Sequence, residues 1–306
     1  VIEAVEKQET DLGKEVLKAE MYYLNVLSAS IDNPVPIPKW PEVIKPIKPI
    51  IPDWRRRKKC IYLKITNRAL FCENTTDPVT TPFANYRIAN VHPAFVTRGF
   101  TVITLDGSDD VRSEFILSAK SPSVVYIAGV GHGGYSVYTG HMHDHILESC
   151  SYDPEEVKSK SIHFLSCQTA KTLGPDTISK GANSYAGYTE NFNLLWDIPG
   201  TAVNEFELFA SCDSVYDLTM AAGLTAQEAY DKTVAAFNAA MALPEVVNTQ
   251  TAATLLWDRD HLKLHGDPAS KVVPYKMVKI CFPLILKKED ILINAGDLEE
   301  IDYSRI

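Results

Sequence analysis

The sequence predicts an α/β fold in which helices cover both faces of a mostly parallel central sheet, a three-layer α/β/α sandwich. From about residue 60 onwards, short and nearly continuous apolar runs alternate with segments of helical apolar spacing. Strands that are apolar on both faces need a covering layer on each side, which is the layered α/β arrangement. The composition is that of a globular protein, since 45% of the 306 residues are hydrophobic and 23% are charged.

The first 59 residues are predicted to lie outside this sheet. Residues 3–28 carry apolar side chains at helical spacing, which predicts an amphipathic helix. A proline-dense stretch from Pro34 to Pro52 predicts an extended strap, because proline removes backbone donors and restricts the chain. A basic run follows. We therefore expect three parts, which are residues 1–59, an α/β domain over residues 60–282 and an acidic tail over residues 283–306.

Short runs rich in β-branched and aromatic residues predict five strands in the α/β domain. These are residues 60–65, 101–105, 123–128, 161–166 and 183–188. Residues 66–98 are rich in turn-forming residues and are expected to be mostly loop, and so is the stretch from Ala210 to Ser214.

Four segments predict helices. Residues 109–120 have helical apolar spacing, and Gly174-Pro175 predicts the start of a short helix. Asp153-Pro154-Glu155-Glu156 combines a capping acid, a first-turn proline and early acids. Thr225 and Glu228 have the spacing of a capping box at the start of a long helix.

Charge and cysteine content exclude several classes of protein. With 39 acidic and 30 basic side chains the net charge is −9, which disfavours nucleic acid as a partner because phosphate binding needs clustered cations. No apolar run approaches the roughly 20 residues of a membrane helix. Six widely spread cysteines without a C-x-x-C pair indicate reduced thiols and a cytoplasmic location. The chain starts at Val1 without the pattern of a signal peptide, so we expect a processed chain or a segment of a longer protein.

Two predicted strand ends carry residues with the chemistry of a nucleophilic site. His132 follows the third strand within a glycine-rich turn, and Cys167 follows the fourth. Reactive residues of layered α/β folds gather beyond the carboxyl ends of the strands, and an imidazole beside a thiol can take its proton. Backbone N–H groups near His132 and at Cys167 could hold an oxyanion. A buried cysteine and an ordinary glycine turn are the alternative interpretation.

The passage from Val124 to Glu190 resembles the caspase–gingipain–legumain superfamily of cysteine peptidases. The resemblance lies in an apolar strand followed by His132-Gly133 and a second apolar strand followed by Cys167. The segment Leu165-Ser166-Cys167-Gln168-Thr169-Ala170 is most similar to the CHAT and gingipain-like branch, and the late turn His265-Gly266-Asp267-Pro268 fits that branch. The resemblance covers roughly residues 60–282 and implies a caspase-haemoglobinase-like fold.

The resemblance implies a cysteine endopeptidase that cleaves a protein or peptide through an acyl-enzyme thioester. Cys167 would be the nucleophile, His132 the general base or ion-pair partner, and the backbone of Gly133 and Cys167 the oxyanion hole. No metal or organic cofactor is required for that chemistry. Many relatives are latent, so we expect regulation by processing, by an upstream regulatory domain or by an activating protein. Leu165 departs from the family, where an acid or Gln often stands two positions before the cysteine.

The side chain before the scissile bond is expected to be basic, because an acid at the base of a substrate pocket selects Lys or Arg. Four acids near predicted strand ends or in the loops beyond them are candidates, and they are Asp106, Glu190, Asp197 and Asp213. Asp197 is favoured because it lies in the loop after the fifth strand, and Glu190 is the second candidate. Each of the four is equally compatible with a solvated surface acid.

Two other functions compete with a peptidase. His141, His143 and His145 alternate within five residues and could ligate the metal of a metal-dependent hydrolase. The alternative interpretation of this histidine cluster is a polar loop that lines a cleft beside His132. A non-catalytic caspase-like interaction module is the third hypothesis, in which the Cys–His pair is retained without activity.

Overall fold

The computed structural model of the protein describes residues 58–195, 204–283 and 298–300, and the side chains of residues 62–195 and 204–279 within them. The chain divides into two units, residues 1–54 and residues 55–306, and every described residue belongs to the second. The predicted N-terminal helix, the proline-dense strap, Asp197 and most of the predicted acidic tail lie outside the described residues.

A six-stranded sheet forms the centre of the described chain. Its order is β10-β9-β8-β4-β2-β3, where β2 is Arg68–Glu73, β3 is Thr101–Asp106, β4 is Val124–Val130, β8 is Ser161–Leu165, β9 is Ser184–Tyr188 and β10 is Leu262–Gly266. All neighbours are parallel except β9 and β10, which are antiparallel. The predicted mostly parallel sheet is therefore confirmed.

Two smaller antiparallel sheets accompany it. The first is β1 (Lys58–Thr66), β11 (Tyr275–Pro283) and β12 (Leu298–Glu300), and the second is β5 (Gly133–Gly134), β6 (Val137–Thr139) and β7 (His145–Glu148). Seven helices complete the described chain: α1 (Thr81–Asn90), α2 (His92–Arg98), α3 (Arg112–Ala119), α4 (Leu173–Ser179), α5 (Glu205–Ala221), α6 (Ala226–Met241) and α7 (Gln250–His261).

Helices cover both faces of the central sheet, as the apolar strands predict. Along β2, Leu70 packs in a core with Phe115 of α3, whereas Phe71 packs on the opposite face with Phe95 of α2. Successive side chains of a strand point to opposite faces, so a strand that is apolar throughout needs both layers. None of the helices in the described ranges has the length and hydropathy that a membrane crossing requires.

The segment 66–98, expected to be loop, instead holds β2 and two helices. Pro82 and Pro93 each occupy the first turn of a helix, where a missing N–H costs nothing because those donors have no partner inside the helix. The turn-forming residues of this segment thus mark the starts of α1 and α2. The strand predicted at residues 60–65 exists, but it belongs to the small sheet with β11 rather than to the central sheet.

Further expectations were wrong at the C-terminal half. Ala210–Ser214 is not a loop, since it lies inside α5, whose Asn204 cap accepts from the Glu207 N–H. The sequence did not predict the α7 helix, which ends at His261. The helix predicted to start at Asp153 is only a single 3-10 turn, which Asp153 caps with a complete capping box. The Thr225–Glu228 capping box is confirmed at the start of α6.

A buried ion network ties α1 and α5 to the sheet. The Arg87 guanidinium of α1 donates to Glu73 of β2 at 3.0 and 3.1 Å and to Asp217 of α5 at 2.6 Å. Asp217 also accepts from Tyr126 of β4 at 2.6 Å and contacts His163 of β8 at 3.0 Å. All five side chains are buried, so their charges are balanced by buried partners rather than by solvent, and Glu73 also contacts His92 Nε2 at 3.1 Å.

Removal of the Arg87 charge should destabilise the fold strongly. Arg87→Met removes the cation that the buried carboxylates of Glu73 and Asp217 share, and we expect about 3–5 kcal/mol less free energy of unfolding. Lys120→Met, which breaks an exposed ion pair with Asp153 at 2.9 Å, should have a much smaller effect because solvent screens that pair. Urea denaturation measures both, and equal losses for the two variants would contradict the structural role of Arg87.

Candidate active site

His132 and Cys167 each lie two residues beyond the end of neighbouring parallel strands. In the register of β4 and β8, Val130 lies beside Leu165, and the Gly131 N–H still donates to the Leu165 carbonyl at 3.4 Å. The same number of residues then leads to His132 and to Cys167, so the two segments leave the sheet side by side. Within the described chain, the His132 ring and Cys167 Sγ share no hydrogen bond.

Gly133 packs directly against the turn that carries Cys167. A Cβ atom on Gly133 would lie 2.2 Å from Ser166 Oγ and 2.7 Å from the Cys167 carbonyl oxygen, closer than real Cβ contacts. His132 and Thr139 are joined by a backbone hydrogen bond of 2.9 Å, and Gly133 belongs to the next pair of that antiparallel ladder. Hydrogen-bonded and non-hydrogen-bonded pairs alternate, so the Gly133 N–H points away from its ladder partner.

Asp77 orients the His132 ring. His132 Nε2 lies 3.2 Å from Asp77 Oδ1, and the same oxygen accepts the backbone N–H of Val79 at 2.8 Å and of Thr80 at 3.3 Å. Partial burial raises the pKa of Asp77, but the Val79 N–H and His132 together lower it below its usual value. The carboxylate therefore stays ionised and engages Nε2, which leaves Nδ1 as the ring nitrogen available to a thiol.

Sequence reasoning missed Asp77 because it placed residues 66–98 in a loop. A local signal was present, since an Asp-Pro pair ahead of a helix favours a turn in which the Asp side chain accepts nearby N–H groups. Nothing in that pattern points to His132, which lies 55 residues further along the chain.

A polar cleft opens beside the Asp77–His132 pair. The His143 ring lies 5.1 Å from the His132 ring, centroid to centroid, with 34° between the planes. The cleft has a volume of about 260 Å³ and is lined by Asn74, Thr76, Asp77, His141, Met142 and His143. Met142 and His143 have φ values of 49° and 62°, a left-handed conformation that is strained for such residues.

Cys167 is partly buried and lies in a turn that β9 and the loop after it hold. Burial raises the pKa of the Cys167 thiol, the Phe192 backbone N–H lowers it by donating to Sγ, and nearby Asp258 raises it. Gln168, the next residue, has a φ of 61°, and its N–H donates to the Glu190 carbonyl at 3.0 Å. Because its pKa is raised overall, the thiol needs a base to become a nucleophile at neutral pH.

The predicted substrate-binding acids occupy different environments. Glu190 is partly exposed after β9, and its carboxylate pairs with Lys171 Nζ at 2.6 Å. Asp213 is fully buried in α5 and accepts from Tyr188 at 2.8 Å, so it does not lie in a loop beyond a strand. Asp106 is exposed at the end of the edge strand β3. Asp197 lies outside the described residues.

The histidine cluster does not form a three-ligand metal site. His141 contacts Thr76 at 3.0 Å, the His143 ring packs at a tilt against the His132 ring, and His145 pairs with Glu148 at 3.0 Å. Among the described residues, the only group of three or more side chains with ligand atoms close enough for a metal is a different one, formed by His163, Asp213 and Asp217.

That buried group is already neutralised by protonated side chains. Asp217 is paired with Arg87, and although burial alone raises its pKa, Arg87 and His163 bring it well below the usual range. Burial lowers the pKa of His163, but Asp217 and Asp213 raise it to about 9. Two cationic side chains thus occupy the positions where a metal would balance the carboxylates.

The stabilising contribution of His163 should depend on pH. Its folded pKa of about 9 exceeds the unfolded value of about 6.5, so the contribution is fully present below the unfolded value and is lost as the pH rises through the folded one. The difference in free energy of unfolding between wild type and His163→Gln should therefore narrow between those two pH values. Urea titrations across this window measure it, and a constant difference would refute the charged state of His163.

Gly133 closely approaches the turn that carries Cys167, whereas the adjacent Gly134 does not, so Gly134 provides a matched control. Gly133→Ala should lower the free energy of unfolding by about 1–3 kcal/mol, because the methyl group collides with backbone and Ser166. A Cβ atom on Gly134 meets only Val137 Cγ1, at 3.6 Å, so Gly134→Ala should have little effect. Chemical denaturation compares the two, and equal stability would mean that the two segments do not pack as closely as described.

Comparison with known proteins gives a structural likeness and no sequence match. No family model matches the chain, and no curated protein sequence matches it. The crystal structure of the Arg specific cysteine proteinase gingipain R aligns with a TM-score of 0.43 and 11% identity, over 71% of this chain and 54% of that chain. The complex of the Porphyromonas gingivalis RgpB pro- and mature domains aligns with a TM-score of 0.44 and 9% identity, over 70% and 54% of the two chains.

The chain therefore spans about half the length of the structures that it matches. Both TM-scores are below 0.5, so the functional interpretation rests on the geometry of the site and not on this likeness.

Proposed function

We propose that the protein is a cysteine peptidase in which Cys167 is the nucleophile and His132 the general base. The observation that carries this proposal is the pairing of β4 and β8, which brings a histidine held by a carboxylate and a partly buried thiol to adjacent strand ends. Nucleophile, base and orienting acid from separate elements are the arrangement that thiol-based acyl transfer needs.

In the proposed reaction, Asp77 holds His132 Nε2 and Nδ1 accepts the Cys167 proton. The thiolate attacks the peptide carbonyl, and the protonated imidazole then returns the proton to the leaving amine. Water hydrolyses the resulting thioester with His132 again as base. Asp77 remains ionised and stabilises the imidazolium, which is the role of the third group in catalytic triads.

The oxyanion of the tetrahedral intermediate would be received by the backbone of Gly133 and Cys167. The Gly133 N–H points away from β6, and the Cys167 N–H donates to no acceptor among the described residues. Donors that are fixed before the reaction need no reorganisation when charge develops, and each contributes substantially to the rate.

The finer assignments stay predictions that rest on the sequence. They are membership of the caspase–gingipain–legumain superfamily, its CHAT and gingipain-like branch, a basic residue before the scissile bond read by Asp197 or Glu190, and regulation by processing or a partner. To bind the Glu190 carboxylate, a basic side chain of the substrate would have to displace Lys171 Nζ.

Substitution of the dyad should abolish cleavage of a diverse peptide pool. Cys167→Ala removes the nucleophile and should leave no turnover, and His132→Ala should lower kcat by about 10²–10⁴-fold because the base is lost. Cys150→Ala is the matched control, since Cys150 is exposed and free outside the site. Mass spectrometry of the pool measures cleavage. Peptide cleavage that survives Cys167→Ala would reject Cys167 as the nucleophile. Cleavage that is lost only when a chelator is added would favour metal chemistry.

A further inference from the structure

Three residues of the α7 helix hold the loop that follows β9 through hydrogen bonds. Trp257 Nε1 donates to the Asn191 carbonyl at 3.0 Å, and the Asn193 N–H donates to Asp258 Oδ1 at 2.8 Å. The Thr189 N–H donates to the carbonyl of His261 at 2.8 Å. Three residues of one helix therefore fix the path of residues 189–193, a segment that has no helix or strand of its own.

The same loop contacts the nucleophile turn. The Phe192 N–H donates to Cys167 Sγ, and the Glu190 carbonyl accepts from the Gln168 N–H at 3.0 Å. The donor to the thiol and the donor to Asp258 are thus the N–H groups of adjacent residues, Phe192 and Asn193. Fixing one peptide unit restricts the other, because the backbone has only two soft dihedral angles per residue.

We propose that Asp258 is a positioning residue for Cys167: by accepting the Asn193 N–H from inside the core, it holds the Phe192 N–H against the thiolate. The proposal rests on the proposed function of Cys167 and names a residue that acts on the nucleophile through a loop. Asp258 is completely buried, accepts the Asn193 N–H and does not line the cleft beside His132.

The charge state of Asp258 suits this role. Burial raises its pKa to about 9, the Asn193 N–H opposes the rise, and Asp213 adds to it. Its ionisable neighbours are Cys212 and Asp213 of α5, Tyr188 of β9 and Cys167. At neutral pH a protonated Asp258 keeps the hydrogen bond without placing a negative charge near the thiolate, whereas its ionised form opposes thiolate formation.

The pH dependence of Cys167 alkylation tests the proposal without requiring peptidase activity. Iodoacetamide modifies the thiolate, and mass spectrometry of the Cys167 peptide gives its rate from about pH 6 to about pH 10. Asp258→Ala should lower the rate at neutral pH about tenfold, the loss expected for a hydrogen bond to a charged group. Asp258→Asn keeps an acceptor oxygen and should stay within about twofold of wild type.

Asp258→Asn gives a second readout if Asp258→Ala fails to fold. Above the pKa of Asp258, the negative charge of Asp258 should slow alkylation of Cys167 in the wild type. The amide introduced by Asp258→Asn stays neutral, so this variant should be alkylated faster than wild type at that pH. The exposed Asp260→Asn is the matched control on the same helix, where Asp260 pairs with Arg259 at 2.6 Å, and it should follow wild type. Identical profiles for wild type and Asp258→Asn, or equal rates for the Ala and Asn variants, would overturn the proposal.

The outcomes separate this inference from the proposed function. Alkylation that responds to Asp258 as expected, in a protein that cleaves no peptide, would leave the positioning role standing and reject the peptidase. Cleavage that depends on Cys167, with alkylation indifferent to Asp258, would reject the positioning role alone.

Discussion

The buried Arg87 guanidinium is the interaction on which much of the remaining geometry depends. It bridges Glu73, the last residue of β2, and Asp217 of α5, and all three side chains are buried, so each charge depends on its protein partners. Six residues separate Glu73 from Thr80, the residue before α1. Because Arg87 belongs to α1 and binds Glu73, it ties the two ends of that connection together. Asp77 lies within it, so the network that docks α1 on the sheet also fixes the carboxylate that orients His132.

The candidate site is held from two sides. On the first side, Asp77 engages the His132 ring across the end of β4. On the second side, α7 holds the loop after β9, which donates to Cys167. Each arrangement includes a carboxyl group, and the two groups favour opposite charge states. Hydrogen bonds lower the pKa of Asp77 and favour its ionised form, whereas burial raises the pKa of Asp258 to about 9 and favours its neutral form at neutral pH.

Environment rather than residue type decides between these two roles. Asp77 is partly exposed and accepts two backbone N–H groups and a histidine, each of which favours the charged form. Asp258 accepts one N–H and faces Asp213, and its second oxygen has no hydrogen-bond partner. Desolvation then dominates and the neutral form is favoured. The same reasoning makes the surroundings of Cys167 a place where small displacements of one loop change thiol reactivity.

The sequence by itself determined those features that are encoded locally. Apolar runs covered on both faces predicted the parallel sheet, and the capping box at Thr225 predicted α6. The position of His132 and Cys167 just beyond two apolar strands predicted them as a catalytic pair, which stays a prediction. Local patterns failed to predict the helices α1 and α2, because Pro82 and Pro93 lie in their first turns instead of interrupting a helix. Only the tertiary structure decided the partners, because Arg87 meets Asp217 across 130 positions and Asn193 meets Asp258 across 65. Such contacts depend on how helices dock on the sheet, and no period or spacing along the chain records that.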